Sequence, residues 1–194
     1  MMDVRLLVTA GSARSGSFNA RLAALAAAIA RAAGAQVTEL DLRALALPLY
    51  DGDIEAAGMP AGALELRRLF ATHEAILIAS PEYNGFVTPL LLNAIDWAAR
   101  PAAEGELPSG LAAMNGTVAG LLSASPGALG GMRSLTVLRA FLAATPGMLV
   151  VPEAASIGQA HQAFDEGGAL KDPKQQQQVE RVVRAVLRLA AALA

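Results

Sequence analysis

Short apolar runs alternate along this chain with longer segments in which apolar residues recur at helical spacing. Residues 75–79 (Ala-Ile-Leu-Ile-Ala) are apolar throughout, which is typical of a strand buried on both faces of a parallel sheet. The runs predict strands at residues 4–9, 36–42, 75–79, 117–123 and 148–151. The helical spacing predicts helices at residues 20–33, 61–71, 89–97, 135–142 and 179–190.

This alternation predicts an α/β fold, a doubly wound parallel sheet of five strands with helices on both faces. We favour the strand order 2-1-3-4-5, in which the first and third strands are neighbours and their following helices pass to opposite faces. Ligands bind at the carboxyl ends of the strands at such a switch point. No repeat or linker interrupts the pattern, so residues 1–194 are expected to form one domain. Residues 47–53 are predicted as a proline-broken loop and residues 154–172 as an irregular polar segment.

The composition is more apolar than that of an average soluble domain, with 54% hydrophobic and 16% charged residues. No apolar run approaches the roughly 20 residues that a bilayer crossing needs, so no membrane segment is expected. The apolar surplus instead predicts a subunit interface, as in a homodimer or a homotetramer built from dimers.

Charge and residue types exclude several other classes. The net charge is −2 and no basic patch contains interleaved aromatic residues, so nucleic acid is not an expected partner. The absence of cysteine excludes disulfides, thiolate nucleophiles and iron–sulfur ligands. The first residues lack the features of a signal peptide, so a cytoplasmic location is expected. No metal site is predicted, because His161 has no companion ligands and His73 is expected to cap a helix or lie on the surface.

A turn rich in glycine and serine separates the first strand from the first helix. Backbone N–H groups, the helix dipole and a forked arginine side chain all favour a phosphate there. Ala13 stands where a dinucleotide-binding loop needs glycine, and Ser17 stands where a Walker A loop needs lysine. The turn therefore suits a single terminal phosphate, and the alternative is an ordinary helix start capped by Ser15 or Ser17. The candidate residues are Gly11, Ser12, Arg14, Ser15, Ser17, Phe18 and Asn19.

A second candidate loop, residues 80–86 (Ser-Pro-Glu-Tyr-Asn-Gly-Phe), follows the central strand. Pro81 cannot continue a central strand, and Asn84 and Gly85 tolerate positive φ, so the chain is predicted to turn sharply. Pro89 then fits the first turn of the next helix. The alternative interpretation is a plain reversal of the chain.

A third candidate loop, residues 124–133, follows the fourth strand and contains several small residues, including Gly130 and Gly131. Such residues permit a close approach of the backbone to a ligand, and the next helix supplies free N–H groups. The alternative is an ordinary loop that leads into a helix.

The three loops resemble those of a known family. The pattern G-S-x-R-x-x-S-x-N at residues 11–19, Pro-Glu-Tyr-Asn-Gly at 81–85 and Asn-Ala-Ile-Asp-Trp at 93–97 are similar to the NAD(P)H-dependent FMN reductases. This flavodoxin-like group includes quinone, azo-dye and chromate reductases, and the resemblance spans residues 6–153. Phe86 stands where the family usually has serine or another small residue, and Leu92 stands where it usually has lysine.

The resemblance implies a non-covalent FMN, with its phosphate in the first loop and its ring along the second. The third loop would pack against the pyrimidine edge of the flavin. Tyr50 and Phe86 would lie on the substrate side, and Arg139 would pair with Glu153 across a subunit interface. The remaining implied cofactor-binding residues are Pro81, Glu82, Tyr83, Asn84, Gly85, Ser123, Ser125, Gly127, Gly130 and Gly131.

No constellation of acid, base and nucleophile is recognisable, and no catalytic residue is assigned, because the cofactor carries the chemistry in flavoenzymes. The resemblance therefore predicts an oxidoreductase that transfers hydride from NAD(P)H through bound FMN to a quinone, azo compound, metal oxyanion or free flavin, with ping-pong kinetics. Two alternatives stay open, a flavodoxin-like electron carrier and a flavin-free binding or regulatory protein. The carrier is less favoured, because a net charge of −2 is not strongly acidic and no tryptophan lies near the predicted ring loops.

Overall fold

A parallel sheet organises the chain in a computed structural model that describes residues 4–101, 108 and 110–193. Its strands are β1 (Arg5–Ala10), β2 (Gln36–Leu40), β3 (Ala75–Ala79), β4 (Val118–Ala124) and β5 (Leu149–Ile157). Within the described residues these five strands form one sheet in the order β2-β1-β3-β4-β5, and every neighbouring pair is parallel. The predicted strand order is therefore confirmed.

Helices cover both faces of this sheet, as the sequence predicts. They are α1 (Phe18–Ala32), α2 (Gly52–Ala57), α3 (Ala61–Thr72), α4 (Pro89–Ala98), α5 (Met132–Ala144), α6 (Ala160–Ala163) and α7 (Pro173–Leu193), with a short 3₁₀ helix at Gly110–Ala113. Helices α1 and α7 pack on one face, and α3, α4 and α5 pack on the other. None of the helices in the described ranges combines the length and apolarity that a bilayer crossing requires.

The central strand β3 contributes to both apolar cores. Leu77 packs with residues of α1 and α7, whereas Ile76 and Ile78 pack with residues of α3, α4 and α5. On the α7 side, Gly120 allows close contact between helix and sheet, because an added Cβ would lie 2.6 Å from the Val186 side chain. Every residue of β3 is buried, as the unbroken apolar run predicts.

The edge strand β5 is longer than predicted, and the predicted end at residue 151 is wrong. The strand continues through Pro152 and Glu153 to Ile157. Its register against β4 shifts between Ala119 and Leu121, so the proline lies in a bulge on an edge strand. A bulge accommodates proline, which has no N–H to donate to the neighbouring strand. From the sequence alone, the same proline indicates the end of the strand. The segment predicted to be irregular also contains α6.

Helix α2 was likewise not predicted within the loop that starts at Leu47. It begins at Gly52, where the Asp51 carboxylate caps the helix by accepting a hydrogen bond from the Asp53 amide at 2.8 Å. The signal in the sequence is Asp51 itself, a favoured N-cap residue. His73 caps the carboxyl end of α3, as predicted, and its Nε2 lies 2.8 Å from the Thr38 hydroxyl.

A buried amide joins the start of α1 to the end of β4. Asn19 Nδ2 donates to the carbonyl oxygen of Ala124 at 2.8 Å, and the Ala124 amide donates to Asn19 Oδ1 at 2.9 Å. Asn19 is 2% exposed, so both bonds are shielded from water. This reciprocal pair fixes the start of α1 against the end of β4, and so sets the positions of the segments that precede α1 and follow β4.

We expect Asn19→Ala to lower the free energy of unfolding of the apoprotein by about 2–3 kcal/mol, because two buried groups of Ala124 lose their partner. Asn19→Asp restores both contacts only while its carboxyl is protonated, so the folded state raises its pKa. Its stability should be near that of the wild type at low pH and should fall as the pH rises through that raised pKa. Urea denaturation across pH measures both effects, and coincident curves for all three proteins would contradict this role.

Candidate functional site

The carboxyl ends of β1, β3 and β4 lie side by side, and the loops after them enclose a crevice of about 320 Å³. The first loop comprises residues 11–17, the second residues 80–88 and the third residues 125–131. The crevice is lined by Ser12, Arg14, Ser17, Phe18, Asn19, Pro81, Glu82, Tyr83, Ala124, Ser125 and Pro126. Apart from Ala124 and Pro126, all of these residues belong to the predicted cofactor-binding set.

The first loop presents hydrogen-bond donors that have no acceptor. Among the described residues, no group accepts a hydrogen bond from the amides of Ala13, Ser15 and Gly16. The serine hydroxyls of the same loop could act as acceptors but do not pair with these amides. Arg14 forms no ion pair with a described carboxylate, and its guanidinium bonds only to the carbonyls of Ser15 and Gly16, at 3.3 and 3.1 Å. Free N–H groups next to an unpaired cation at a helix start form an anion site.

Ser17 caps a helix, which is the alternative role that the sequence analysis left open for it. Its Oγ accepts hydrogen bonds from the Asn19 amide at 3.2 Å and the Ala20 amide at 3.3 Å, so it is the N-cap of α1. Capping and phosphate binding are compatible, because the hydroxyl still has a hydrogen to donate. The Phe18 ring lies on the same side, with its centroid 5.4 Å from the Arg14 guanidinium.

Gly11 holds the first loop against the second. An added Cβ would lie 2.6 Å from Ser80 Oγ, and the Thr88 hydroxyl donates to the Gly11 carbonyl at 2.8 Å. Gly11 does not line the crevice, so its lack of a side chain serves the contact between loops.

The second loop contains a tight turn that the sequence predicts. Tyr83 and Phe86 exchange backbone hydrogen bonds of 3.0 and 2.9 Å, and the two residues between them, Asn84 and Gly85, have φ values of 54° and 76°. Positive φ at both central positions is the geometry of a type I′ turn. The turn leaves Tyr83 and Phe86 about half exposed, at 48% and 49%, and Tyr83 faces the crevice.

Glu82 joins the second loop to the start of α5. Arg133 Nε donates to Glu82 Oε1 at 2.8 Å, and the Ser134 amide lies 3.4 Å from Glu82 Oε2. Hydrogen bonds from Arg133, followed by the Ser134 amide, hold the pKa of the Glu82 carboxyl below its usual value, although partial burial opposes this. The carboxylate is therefore ionised near neutral pH and already engaged. The sequence analysis did not identify Arg133. The signal that could have identified it is its position in the first turn of a helix, because the helix dipole disfavours a cation there unless an acidic partner is close.

The third loop uses its glycines to approach the chain's own backbone. Gly130 and Gly131 have φ values of 61° and 89°. A Cβ on Gly130 would lie 2.7 Å from the backbone of Ser156, and one on Gly131 would lie 2.0 Å from Ser123 Oγ. Ser123 is fully buried and its hydroxyl has no hydrogen-bond partner, so it lies beneath this loop and not in the crevice. The carbonyl of Gly127 accepts from the Gln159 amide at 3.3 Å, which ties the loop to the end of β5.

Tyr50 does not line the crevice of its own chain. Its ring packs edge-on against Trp97, with centroids 5.1 Å apart, and its amide donates to Asn93 Oδ1 at 2.7 Å. Its hydroxyl donates to Glu55 at 2.8 Å, and this bond, with partial burial, raises the pKa of the Tyr50 phenol. Arg100 completes the cluster by pairing with Glu55 at 2.9 Å. These contacts fasten the loop that carries Tyr50 to the carboxyl end of α4.

Arg139 is occupied within its own chain. Its guanidinium donates to backbone carbonyls of β5, including those of Pro152 at 3.2 Å and Glu153 at 3.4 Å. The Glu153 carboxylate is not one of these acceptors, and its Oε2 is buried without a hydrogen-bond partner. The pairing of the two side chains across a subunit interface stays a prediction. In the described part of the chain, no group of three or more acidic, histidine or cysteine side chains is placed to hold a metal ion.

The donor chemistry of the crevice fits FMN. An ionised phosphate supplies acceptors for the free amides and the guanidinium of the first loop. The second loop adds the aromatic ring of Tyr83 to the lining, and the third loop adds the hydroxyl of Ser125. The crevice thus combines donors for a phosphate with an aromatic side chain for a ring, as a phosphorylated ring cofactor requires.

Comparison with known proteins supports this assignment. The family described as NADPH-dependent FMN reductase matches residues 4–162. An NAD(P)H-dependent FMN reductase of Pseudomonas aeruginosa is 37% identical over 188 residues, which cover 95% of this chain and 94% of that protein. A quinone reductase of Pseudomonas putida is 32% identical over 166 residues, covering 85% and 83%.

A solved structure agrees with these relatives in fold. The flavoenzyme NAD(P)H:(acceptor) oxidoreductase FerB of Paracoccus denitrificans superposes with a TM-score of 0.81 at 28% identity, covering 97% of this chain and 98% of that one. The match over residues 4–162 and the 37% identity to the relative from Pseudomonas aeruginosa lead to one conclusion. This chain belongs to the NADPH-dependent FMN reductase family.

Proposed function

We propose that this protein binds FMN in the crevice between the three loops and reduces a small acceptor at the expense of NAD(P)H. The acceptor would be a quinone, an azo compound, a metal oxyanion or free flavin. The observation that carries the proposal is the first loop, which offers free amides and an unpaired Arg14 beside a crevice walled by Tyr83. The relatives named as FMN and quinone reductases support the same activity.

The residues divide into two binding roles. The first loop, with Ser12, Arg14 and the amides of Ser15 and Gly16, would hold the phosphate of FMN. The second loop would lie along the ring, and Glu82 would keep that loop in place through Arg133. Bound FMN supplies the two-electron chemistry between nicotinamide and acceptor, so the protein needs no acid or base of its own.

The alternative of an electron carrier has less support. Trp97, the one tryptophan of the sequence, is fully buried against Tyr50 and donates to the Pro48 carbonyl at 2.8 Å. It therefore does not flank the crevice. A flavin-free protein of this fold has no evident use for a loop that presents free amides and an unpaired arginine at a helix start, which together favour an anion.

We also propose a homodimer, or a tetramer built from dimers, as the working assembly. Large apolar side chains are exposed on the second loop, the third loop and α5, at Phe86, Leu129 and Met132. Leu49, on the loop that carries Tyr50, is 79% exposed. Exposed apolar side chains favour a subunit interface, and such an interface would give Tyr50, which does not line the crevice of its own chain, a place on the substrate side of a neighbouring subunit. The cytoplasm is the proposed location, because NAD(P)H is available there.

Replacement of Arg14 by alanine tests the phosphate assignment. A charge-assisted contact is worth roughly 1.5–3 kcal/mol, so Arg14→Ala should weaken FMN binding by about one to two decades. Riboflavin has no phosphate and should bind both proteins nearly equally. Titration of the apoprotein with each flavin gives the two dissociation constants, and Arg68→Ala, which removes an exposed arginine on α3, is the charge-matched control. Equal losses for FMN and riboflavin would show that Arg14 supports the loop and not the phosphate.

Initial-rate kinetics test the shared use of one flavin face. The second loop would form one wall of the open side of the crevice, and Phe86 would border the acceptor there. If this is the one open face of the flavin, nicotinamide and acceptor must occupy it in turn. Double-reciprocal plots at several acceptor concentrations should therefore give parallel lines, and each substrate at high concentration should inhibit competitively against the other. Intersecting lines would indicate a ternary complex and rule out the single-face mechanism.

Sedimentation velocity tests the assembly. At micromolar concentration the protein should sediment with two or four times the chain mass of 19.8 kDa. The exposed apolar residues would be covered in such an assembly, so the mass should not depend strongly on salt. A species of 19.8 kDa alone at that concentration would refute the proposed oligomer.

A further inference from the structure

An asparagine and a glycine, Asn84 and Gly85, occupy the two central positions of the tight turn in the second loop. The Asn84 side chain is exposed, and within the described ranges it makes no hydrogen bond. The Gly85 amide also lacks an acceptor there, because the turn is closed by the amides of Tyr83 and Phe86. A side-chain amide and a backbone N–H are therefore adjacent, and neither is engaged elsewhere.

These two groups can react with each other without an enzyme. The Gly85 nitrogen attacks the side-chain carbonyl carbon of Asn84, so a C–N bond forms and the C–NH₂ bond breaks. The nitrogen gives up its proton and ammonia leaves, which produces a five-membered succinimide. Water then opens this ring at either carbonyl and yields aspartate or isoaspartate. The net change is one water in and one ammonia out, with no transfer of electrons.

The geometry of the turn controls the attack. A type I′ turn sets ψ of its first central residue near about 30°, which places the Asn84 Cβ nearly opposite the Gly85 nitrogen. A type II′ turn keeps the same positive φ but has ψ near about −120°, which brings the Asn84 side chain beside that nitrogen. Asn84 already has a φ of 54°, so a flip of the peptide between Asn84 and Gly85 is sufficient.

This flip is sterically permitted in the turn. It moves φ of Gly85 from 76° to a negative value, and glycine adopts both. Both turn types keep the hydrogen bond from the Phe86 amide to the Tyr83 carbonyl, which is 2.9 Å long here. The reaction therefore requires a local rearrangement and not the unfolding of the loop.

We propose that Asn84 is a site of spontaneous deamidation, and that bound FMN restrains the reaction by holding the peptide between Asn84 and Gly85. The restraint rests on the proposed function, in which the second loop lies along the flavin ring. The product places a carboxylate on a loop where the Glu82 carboxylate is already paired with Arg133. Isoaspartate also adds a CH₂ group to the backbone of the turn. Protein that stays without FMN should therefore lose its capacity to bind it.

Peptide mapping by mass spectrometry measures the reaction in the full chain. FMN-free and FMN-loaded protein are incubated at mildly alkaline pH, and the deamidated fraction of the Asn84 peptide is followed over time. With free FMN at about 100 times its dissociation constant, the rate at Asn84 should fall by about 10- to 100-fold. The isoaspartyl form, separated by ion exchange, should bind FMN about tenfold more weakly than unreacted protein, because contacts of the turn are lost.

The chain contains a matched control in Asn115, which is also exposed and is also followed by a glycine. The Gly116 amide donates to the Gly147 carbonyl at 3.0 Å, and this pair precedes β4, at the end of the sheet opposite the crevice. Asn115 should therefore react more slowly than Asn84 in FMN-free protein, and FMN should not change its rate. Asn84→Gln would have to close a six-membered ring, so it should abolish the reaction at this position and leave that of Asn115 unchanged.

The outcomes separate this inference from the proposed function. If Asn84 stays intact, or reacts no faster than Asn115 in FMN-free protein, the deamidation site is refuted even when NAD(P)H oxidation is normal. If bound FMN does not slow the reaction at Asn84, the restraint is refuted while the oxidoreductase activity stands. If the protein binds no FMN, the proposed function fails, and the comparison of Asn84 with Asn115 decides the deamidation site by itself.

Discussion

The structure depends on a hydrogen-bond ladder that continues past the ends of the strands. Gly11 donates to the Ala79 carbonyl at 2.9 Å, and the amide of Ser80 donates to the Leu122 carbonyl at 2.9 Å. These bonds extend the pairing of β1 with β3 and of β3 with β4 into the loops themselves. The first and second loops therefore start from fixed positions, and side chains only have to complete the arrangement.

The functional site follows from which backbone groups this ladder leaves unused. The Gly11 and Ser80 amides donate within the sheet, whereas those of Ala13, Ser15 and Gly16 have no acceptor among the described residues. A loop that had paired all of its amides would be more stable alone but could not bind a phosphate. Glu82 is different, because its carboxylate is already paired with Arg133. The second loop therefore presents no unpaired negative charge to an anionic cofactor.

Local signals in the sequence predicted much of this arrangement. The unbroken apolar run gave β3, Asn84-Gly85 gave the positive φ values of the tight turn, and the serine content of the first loop gave a cap and hydroxyl donors. The features that were missed depend on residues far apart in the chain. The reciprocal bonds of Asn19 with Ala124 join residues 105 positions apart.

Two other features show why local patterns were not sufficient. Glycine at 130 and 131 indicated a close backbone approach, but a single sequence cannot tell a ligand from the chain's own strands, which are β5 at Gly130 and β4 at Gly131. Pro152 indicated the end of a strand, because a proline cannot donate to a ladder; only the position of β5 at the edge of the sheet makes a bulge acceptable there. In both cases the neighbour that decides the outcome is set by the tertiary fold.

The arginines on the β1 and β2 side of the sheet differ in their partners. Arg31 is neutralised by the Glu39 carboxylate, whereas among the described residues Arg14 bonds only to backbone carbonyls. A carbonyl dipole satisfies a donor without cancelling the charge of the guanidinium, so Arg14 keeps its attraction for an anion. A phosphate in the crevice would therefore meet Arg14 without first breaking an ion pair, whereas a phosphate beside Arg31 would have to displace Glu39. The free amides and the uncompensated charge thus belong to the same loop, and this makes the first loop the anion-binding end of the crevice.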